Sequence, residues 1–203
     1  MDICWGIHAG KTGDADKLFL SNTKPCIAIG WDAMGDFSSI QNDRDAFKKK
    51  LVEAYPNTKK GAINTVAGMP YRFRYEMQIG DYVVYPSISD RMVHIGKIIG
   101  EYEYKPEISQ GYCNMRSVEW IKAVPRTNIS QGALYEIGSA LSLFQVKNYV
   151  DDILKFIDSK NISIENEIQN NTDSEDDTID DVFGNIEETT SDFIFKKLYT
   201  ELK

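Results

Sequence analysis

Between Asp81 and Ala123 apolar residues recur at every second position, and that period decides the architecture. Asp81-Tyr82-Val83-Val84-Tyr85, stopped by Pro86, reads as one strand. Met92 to Tyr104 reads as a second, long strand, in which Gly96 and Gly100 mark bulges or bends. Ser87-Ile88-Ser89-Asp90-Arg91 supplies the hairpin loop between them. Tyr112 to Ala123 follows as a third strand. Strands bent by glycines curl, so the sheet they build is curved rather than flat.

Upstream, helical and extended signals mix. Ile3 to His8 reads as a strand that ends in the turn Ala9-Gly10-Lys11-Thr12-Gly13, and residues 25–31 as another strand. Asp16 to Leu20 is a short helix or turn. Asp43 is a natural N-cap for a helix through Glu53, with Phe47 and Leu51 on one face and Pro56 as its stop. Ile63, Val66, Ala67, Phe73 and Met77 keep helical spacing, but Gly68 and Pro70 interrupt, which predicts two helical pieces. Leu141 to Val146 is short and apolar, and a helix follows from Val150 to Ile157. No strict alternation of strand and helix runs through this order. The expected fold is therefore α+β: a small, curved, barrel-like mixed sheet with helices packed outside.

Charge divides the 203 residues. Residues 159–203 hold 12 acidic and 4 basic side chains; of 31 acidic and 23 basic overall, 19 of each remain in residues 1–158. The net charge of −8 thus belongs to the C-terminal part, and the first 158 residues are neutral. A neutral domain lacks the broad positive field of a protein that grips phosphates without selectivity. Residues 159–190, with Asn170-Asn171-Thr172-Asp173-Ser174-Glu175-Asp176-Asp177, read as an acidic flexible linker. Residues 191–203 read as a helix with Phe195, Leu198 and Leu202 in a stripe, the start of a further domain. No run approaches the roughly 18 apolar residues of a membrane span. Cys4, Cys26 and Cys113 are odd in number and far apart, as in a reduced, cytoplasmic protein without a zinc site.

The chemistry centres on Cys26-Ile27-Ala28-Ile29-Gly30-Trp31 and Gly35-Asp36-Phe37-Ser38. A strand delivers an indole to a polar loop, which places a flat π-face beside hydrogen-bonding groups. That is the equipment for holding a planar ligand such as a nucleobase, with Trp31 stacking and Asp36 and Ser38 reading its polar edge. Tyr85 is a second candidate wall, Trp120 a third, and His8 a hydrogen-bonding wall. Lys11, Arg72, Arg74 and Arg116 are the candidate phosphate contacts. Against each stands a plainer role: core packing for the aromatics, a turn cap for Asp36, solvated charge for the bases. Gly10-Lys11-Thr12 lacks the rest of a phosphate-binding loop, because position 5 is tryptophan where that pattern needs glycine. No metal set and no nucleophile–base arrangement stands out, so neither a cofactor nor catalysis by this chain is expected.

Several segments, in order, resemble a known group. They are Trp5-Gly6-Ile7-His8-Ala9-Gly10, Ala28-Ile29-Gly30-Trp31, Gly35-Asp36-Phe37-Ser38, Gly80-Asp81-Tyr82-Val83-Val84, Ile95-Gly96-Lys97-Ile98-Ile99-Gly100-Glu101-Tyr102-Glu103-Tyr104, Arg116-Ser117-Val118-Glu119-Trp120 and Ile137-Gly138-Ser139-Ala140-Leu141-Ser142. Together they resemble the N-terminal module of Mrr-like restriction proteins, over residues 1–147. That module is similar to the PUA-like superfamily, with its EVE and YTH domains. The resemblance implies a reader of modified, flipped bases in DNA, which delivers a C-terminal nuclease in anti-phage defence. The nuclease residues would then lie beyond Lys203. Two other functions remain open: a sensor of a free nucleotide or second messenger, and a protein-interaction or oligomerisation module.

Overall fold

The computed structural model describes residues 2–10 and 13–158. The Lys11 phosphate contact, the 159–190 linker and the 191–203 helix lie outside the described residues. The fold is α+β: six strands form a mixed sheet curled into a half-barrel, in the order β2-β5-β4-β3-β1-β6. The strands are β1 (Cys4–Ile7), β2 (Cys26–Ile29), β3 (Tyr82–Pro86), β4 (Met92–Tyr104), β5 (Asn114–Pro125) and β6 (Leu143–Val146). All neighbours are antiparallel except β1 and β3. The long connection that this parallel pair requires carries α1 (Asp16–Phe19), β2, α2 (Arg44–Ala54) and α3 (Ile63–Tyr71). Two further helices, α4 (Gln131–Ile137) and α5 (Val150–Asp158), come late in the chain.

Period two sorts side chains to the two faces. Trp5, Ile7, Val83 and Tyr85 enter a core shared with Phe19 of α1, Phe47 and Leu51 of α2, and Val66, Ala67 and Met69 of α3. Cys4, Val84, Val93 and Ile95 enter a second core with Ala133, Leu134 and Ile137 of α4 and Val150 and Ile153 of α5. Each large apolar side chain buried in this way contributes about 1.5–3 kcal/mol. Both faces are covered, so the sheet reads apolar on both sides near its centre.

Local signals account for most elements. Asp43 caps α2 by accepting the Ala46 N–H at 2.9 Å, and Ser130 caps α4 at Ala133. The Glu136 carboxylate collects the Lys147, Asn148 and Tyr149 N–H groups ahead of α5. The β4/β5 register slips between Ile95 and Gly96 and again between Ile98 and Tyr102, so both glycine irregularities are present. The clearest differences from expectation are two boundaries and one element. The second strand ends at Ile29, two residues before Trp31; the third strand of the meander starts at Asn114 rather than Tyr112; and α4 had no counterpart in the reading of the sequence.

The break expected at Gly68 and Pro70 also moves. Pro70 lies inside α3, and the helix widens only afterwards, into a π-helical turn over Arg72–Glu76 that closes with Met77 N–H on the Arg72 carbonyl. The exposed carbonyls at the end of that turn are met by Arg116 from β5, described below.

Gly96 is fixed by close approach. A Cβ there would sit 2.6 Å from the Glu119 carbonyl oxygen and 2.8 Å from the Trp120 ring. Gly96→Ala is expected to destabilise the fold by about 1–3 kcal/mol, read as a shift of the urea midpoint. Gly61→Ala, with nothing within 4 Å of the added atom, is the matched control and is expected to be neutral or slightly stabilising.

Candidate functional site

The curl brings three chain segments together at one mouth of the half-barrel. A Cβ on Gly10, just after β1, would collide with the Tyr112 hydroxyl, and one on Gly30, just after β2, would lie 3.7 Å from the Gly111 carbonyl. Asp32 accepts the Gly111 N–H. The ends of β1 and β2 and the start of β5 therefore meet around Tyr112. Three residues here occupy the left-handed region: Gly10 (φ 83°), Gly111 (φ 94°) and Trp31 (φ 69°). Two are glycines, for which this costs little. For a tryptophan it costs of order 1–3 kcal/mol, and such strain concentrates at functional loops.

Trp31 turns the chain from β2 into a tight turn over Asp32–Met34, closed by the Met34 N–H on the Trp31 carbonyl at 2.9 Å. Its ring is only 9% exposed and joins the main core, so the open π-face expected of it is largely covered. What remains available is its edge. The Trp5 indole donates to Asp81 at 2.9 Å and the Trp120 indole to the Phe19 carbonyl at 2.7 Å. The Trp31 N–H has no hydrogen-bond partner among the described residues and keeps access to solvent.

Asp36 and Ser38 take the plainer role. Asp36 caps the turn Phe37–Ser39, accepting the Ser38 N–H and Ser38 hydroxyl, each at 2.8 Å, and the Tyr102 hydroxyl at 2.9 Å. Burial pushes its carboxyl up, but these bonds outweigh it and hold the pKa below the ordinary carboxylate range. Tyr102 is the hub: it also accepts the Phe37 N–H at 2.9 Å and faces Asn114 Oδ1 at 2.5 Å. One phenolic proton cannot serve two acceptors. The buried Nδ2 of Asn114 meanwhile has no partner. Turning the carboxamide over gives Tyr102 a second donor and strands the carbonyl instead, so in either orientation one end of the amide lacks a protein partner.

Five other candidates have partners of their own. Tyr85 is 1% exposed; its hydroxyl donates to Asp16, which also receives Ser87 and Ser89. Its ring packs on Phe19, His94 and Trp120. Trp120 is held in the same cluster. Neither ring walls the Trp31 mouth, because Trp120 lies six residues along β5 from Asn114, about 20 Å of extended chain. Arg116 is 1% exposed and donates to the Phe73, Arg74 and Gly100 carbonyls at 2.9, 3.1 and 3.2 Å. It fastens the fold and is withdrawn as a phosphate contact. Arg74 lies between the rings of Tyr75 and Tyr102, and Arg72 faces Glu76 at 3.7 Å.

His8 is fixed as an acceptor. Its Nε2 donates to the Ser139 carbonyl at 2.9 Å, which leaves Nδ1 with a bare lone pair. Burial drives its pKa down to about 4, the Ser139 bond opposing and the Arg126 charge assisting. Beyond Ser38 a groove of about 430 Å³ opens between Ser39–Gln41 and α2. Lys49 and Lys50 there are balanced by Asp43 and Glu53, so it has no net pull on phosphate. Among the described residues no three His, Cys, Asp or Glu side chains are placed to hold a metal ion, and no helix is long and apolar enough to cross a membrane. Tyr102, Tyr112, Asp32 and Asn114 escaped the sequence reading, since their roles come from partners 12 to 102 residues away in the chain.

Two outcomes follow. Arg116→Met is expected to cost about 3 kcal/mol of stability by stranding three carbonyls; unchanged stability with weaker DNA binding would restore its phosphate role. Because the folded pKa of His8 lies near 4 and its unfolded value near 6.5, the unfolded chain takes up the proton first. The His8 contribution is complete above pH 6.5 and is lost as pH falls toward 4. The melting temperature of the wild type should drop across that window more steeply than that of His8→Gln; equal slopes would place the titration elsewhere.

No curated protein and no solved structure matches the chain. One family model does, over residues 5–147, from Trp5 at the start of the curled sheet to Lys147 just past β6. That span covers the whole half-barrel, and the chain belongs to the DUF8426 family, a domain of unknown function.

Proposed function

We propose that this domain is a PUA-like recognition module that binds a modified, flipped base of DNA at the Trp31 mouth and targets an attached Mrr-like nuclease in a cytoplasmic restriction system. In this reading the chain itself carries no catalytic step. The observation that carries the reading is Trp31: a strained, core-anchored residue whose indole N–H is the one unsatisfied donor among the three tryptophans. A rigid aromatic rim with a directed N–H, beside the hydroxyls of Tyr112 and Tyr104, suits the edge of a heterocycle better than an aliphatic or peptide ligand. The ligand meets the indole edge-on, because the ring face is covered. The neutral charge of residues 1–158 fits a reader that draws its selectivity from the base rather than from phosphates.

The test is a binding panel of methylated and hydroxymethylated duplexes, with mononucleotides as a parallel series. Trp31→Phe keeps an aromatic ring in the core and removes the N–H together with part of the ring volume; it should weaken the preferred oligonucleotide by at least about threefold to tenfold, the value of one hydrogen bond. Thermal denaturation of the variant should stay cooperative, with stability lowered by about 1–2 kcal/mol for the cavity left, so that binding is compared on folded protein. Stabilisation by a mononucleotide with no oligonucleotide binding would instead make the domain a nucleotide sensor.

A further inference from the structure

The loop that carries Trp31 holds two carboxylates in opposite states. Asp36 has spent itself on three internal hydrogen bonds. Asp32, four residues earlier and next to the indole, is exposed and takes the Gly111 N–H, and no ion pair to it occurs among the described residues. Burial by the surrounding turn raises its pKa, so its charge is under-compensated where it stands. The aromatic groups around it feel that charge. Burial and then the Asp14 and Asp32 charges raise Tyr112; burial and then Cys113, Asp32 and Asp36 raise Tyr104. Among the described residues no lysine or arginine enters any of these three balances. The phenols of Tyr104 and Tyr112 have no hydrogen-bond partner among the described residues.

The mouth is therefore a negatively charged aromatic rim: Trp31, Tyr104 and Tyr112 around Asp32. Two groups independent of the carboxylates have no protein hydrogen-bond partner among the described residues. One is the Trp31 N–H, on a residue more than nine-tenths buried. The other is the free end of the Asn114 amide, on a fully buried residue hydrogen-bonded into the Asp36–Tyr102 network.

Resting on the base-reading function above, we infer that Asp32 makes this site selective for a positively charged heterocycle, such as a base alkylated on a ring nitrogen. A carboxylate beside aromatic rings attracts a delocalised cation twice over, through its charge and through the ring quadrupoles. A phosphate would be repelled by the same arrangement, so the sugar-phosphate chain stays outside the mouth.

The experiment compares isomers of equal size that differ in charge near pH 7: 1-methyladenosine, a cation, with N6-methyladenosine, which is neutral, titrated into the full chain and followed by tryptophan fluorescence. The cation is expected to bind at least tenfold more tightly, with an affinity that falls as salt is raised while that of the neutral isomer does not. Asp32→Asn should bring the two isomers to within about twofold. Equal affinities in the wild type, a preference that survives Asp32→Asn, or binding of neither isomer overturns the inference; if the modified duplexes still bind, the reader function stands without it. Tighter binding of trimethyl-lysine than of either nucleoside also overturns it and assigns the mouth to a peptide. The salt series needs no variant, so a folding defect in Asp32→Asn leaves the test intact.

Discussion

Arg116 holds the architecture in its bent form. Its guanidinium lies in the interior, 1% exposed, and reaches three carbonyls that no secondary structure satisfies: Gly100 at the bend of β4, and Phe73 and Arg74 at the end of the π-helical turn. Burial disfavours its charge and lowers its pKa from the usual arginine value, Glu101 opposing. Such a cation is tolerated only where every donor has a strong acceptor. The bend at Gly100 curls the sheet, and the curl brings Gly10 onto Tyr112 and Gly30 onto Gly111. Without it the three loops of the mouth would lie on separate edges of an open sheet.

Within that mouth, function and stability divide along hydrogen-bond satisfaction. The Asp36–Tyr102–Asn114 network clamps the loop to β4 and β5, with the Tyr102 ring stacked on Phe37 at 6.0 Å. It uses most of its own polarity in doing so. Asp32 and the Trp31 N–H are held by the same clamp but remain under-satisfied. A loop fixed at one end and unsatisfied at the other is pre-organised for a ligand, because little ordering entropy is left to lose on binding.

Local chemistry was legible wherever cause and effect lie within a few residues. The Asp43 cap of α2 and its Phe47–Leu51 face follow from spacing alone, as do the bulges at Gly96 and Gly100 and the turn-capping alternative for Asp36. The widening after Pro70 was not legible locally, because the Phe73 and Arg74 carbonyls that it leaves open are met by Arg116, more than forty residues away. Tyr85 and Trp120 carry aromatic side chains as suited to a pocket as that of Trp31. Only their partners, Asp16 and the Phe19 carbonyl, show that both are already engaged. The sequence singled out Asp36 with Ser38 and not Asp32, and that same serine is what occupies the Asp36 carboxylate.

Read alone, the sequence carries most element types, the α+β class, the glycines at which the sheet must bend, and an indole just beyond β2. Each is a property of backbone freedom or of side-chain period, readable over a few residues. Tertiary structure alone decided which polar groups are consumed and which are left over. Tyr102 reaches Asp36 across 66 positions and Arg116 reaches Phe73 across 43. A hydrogen bond depends on distance in space, and separation along the chain carries no information about it.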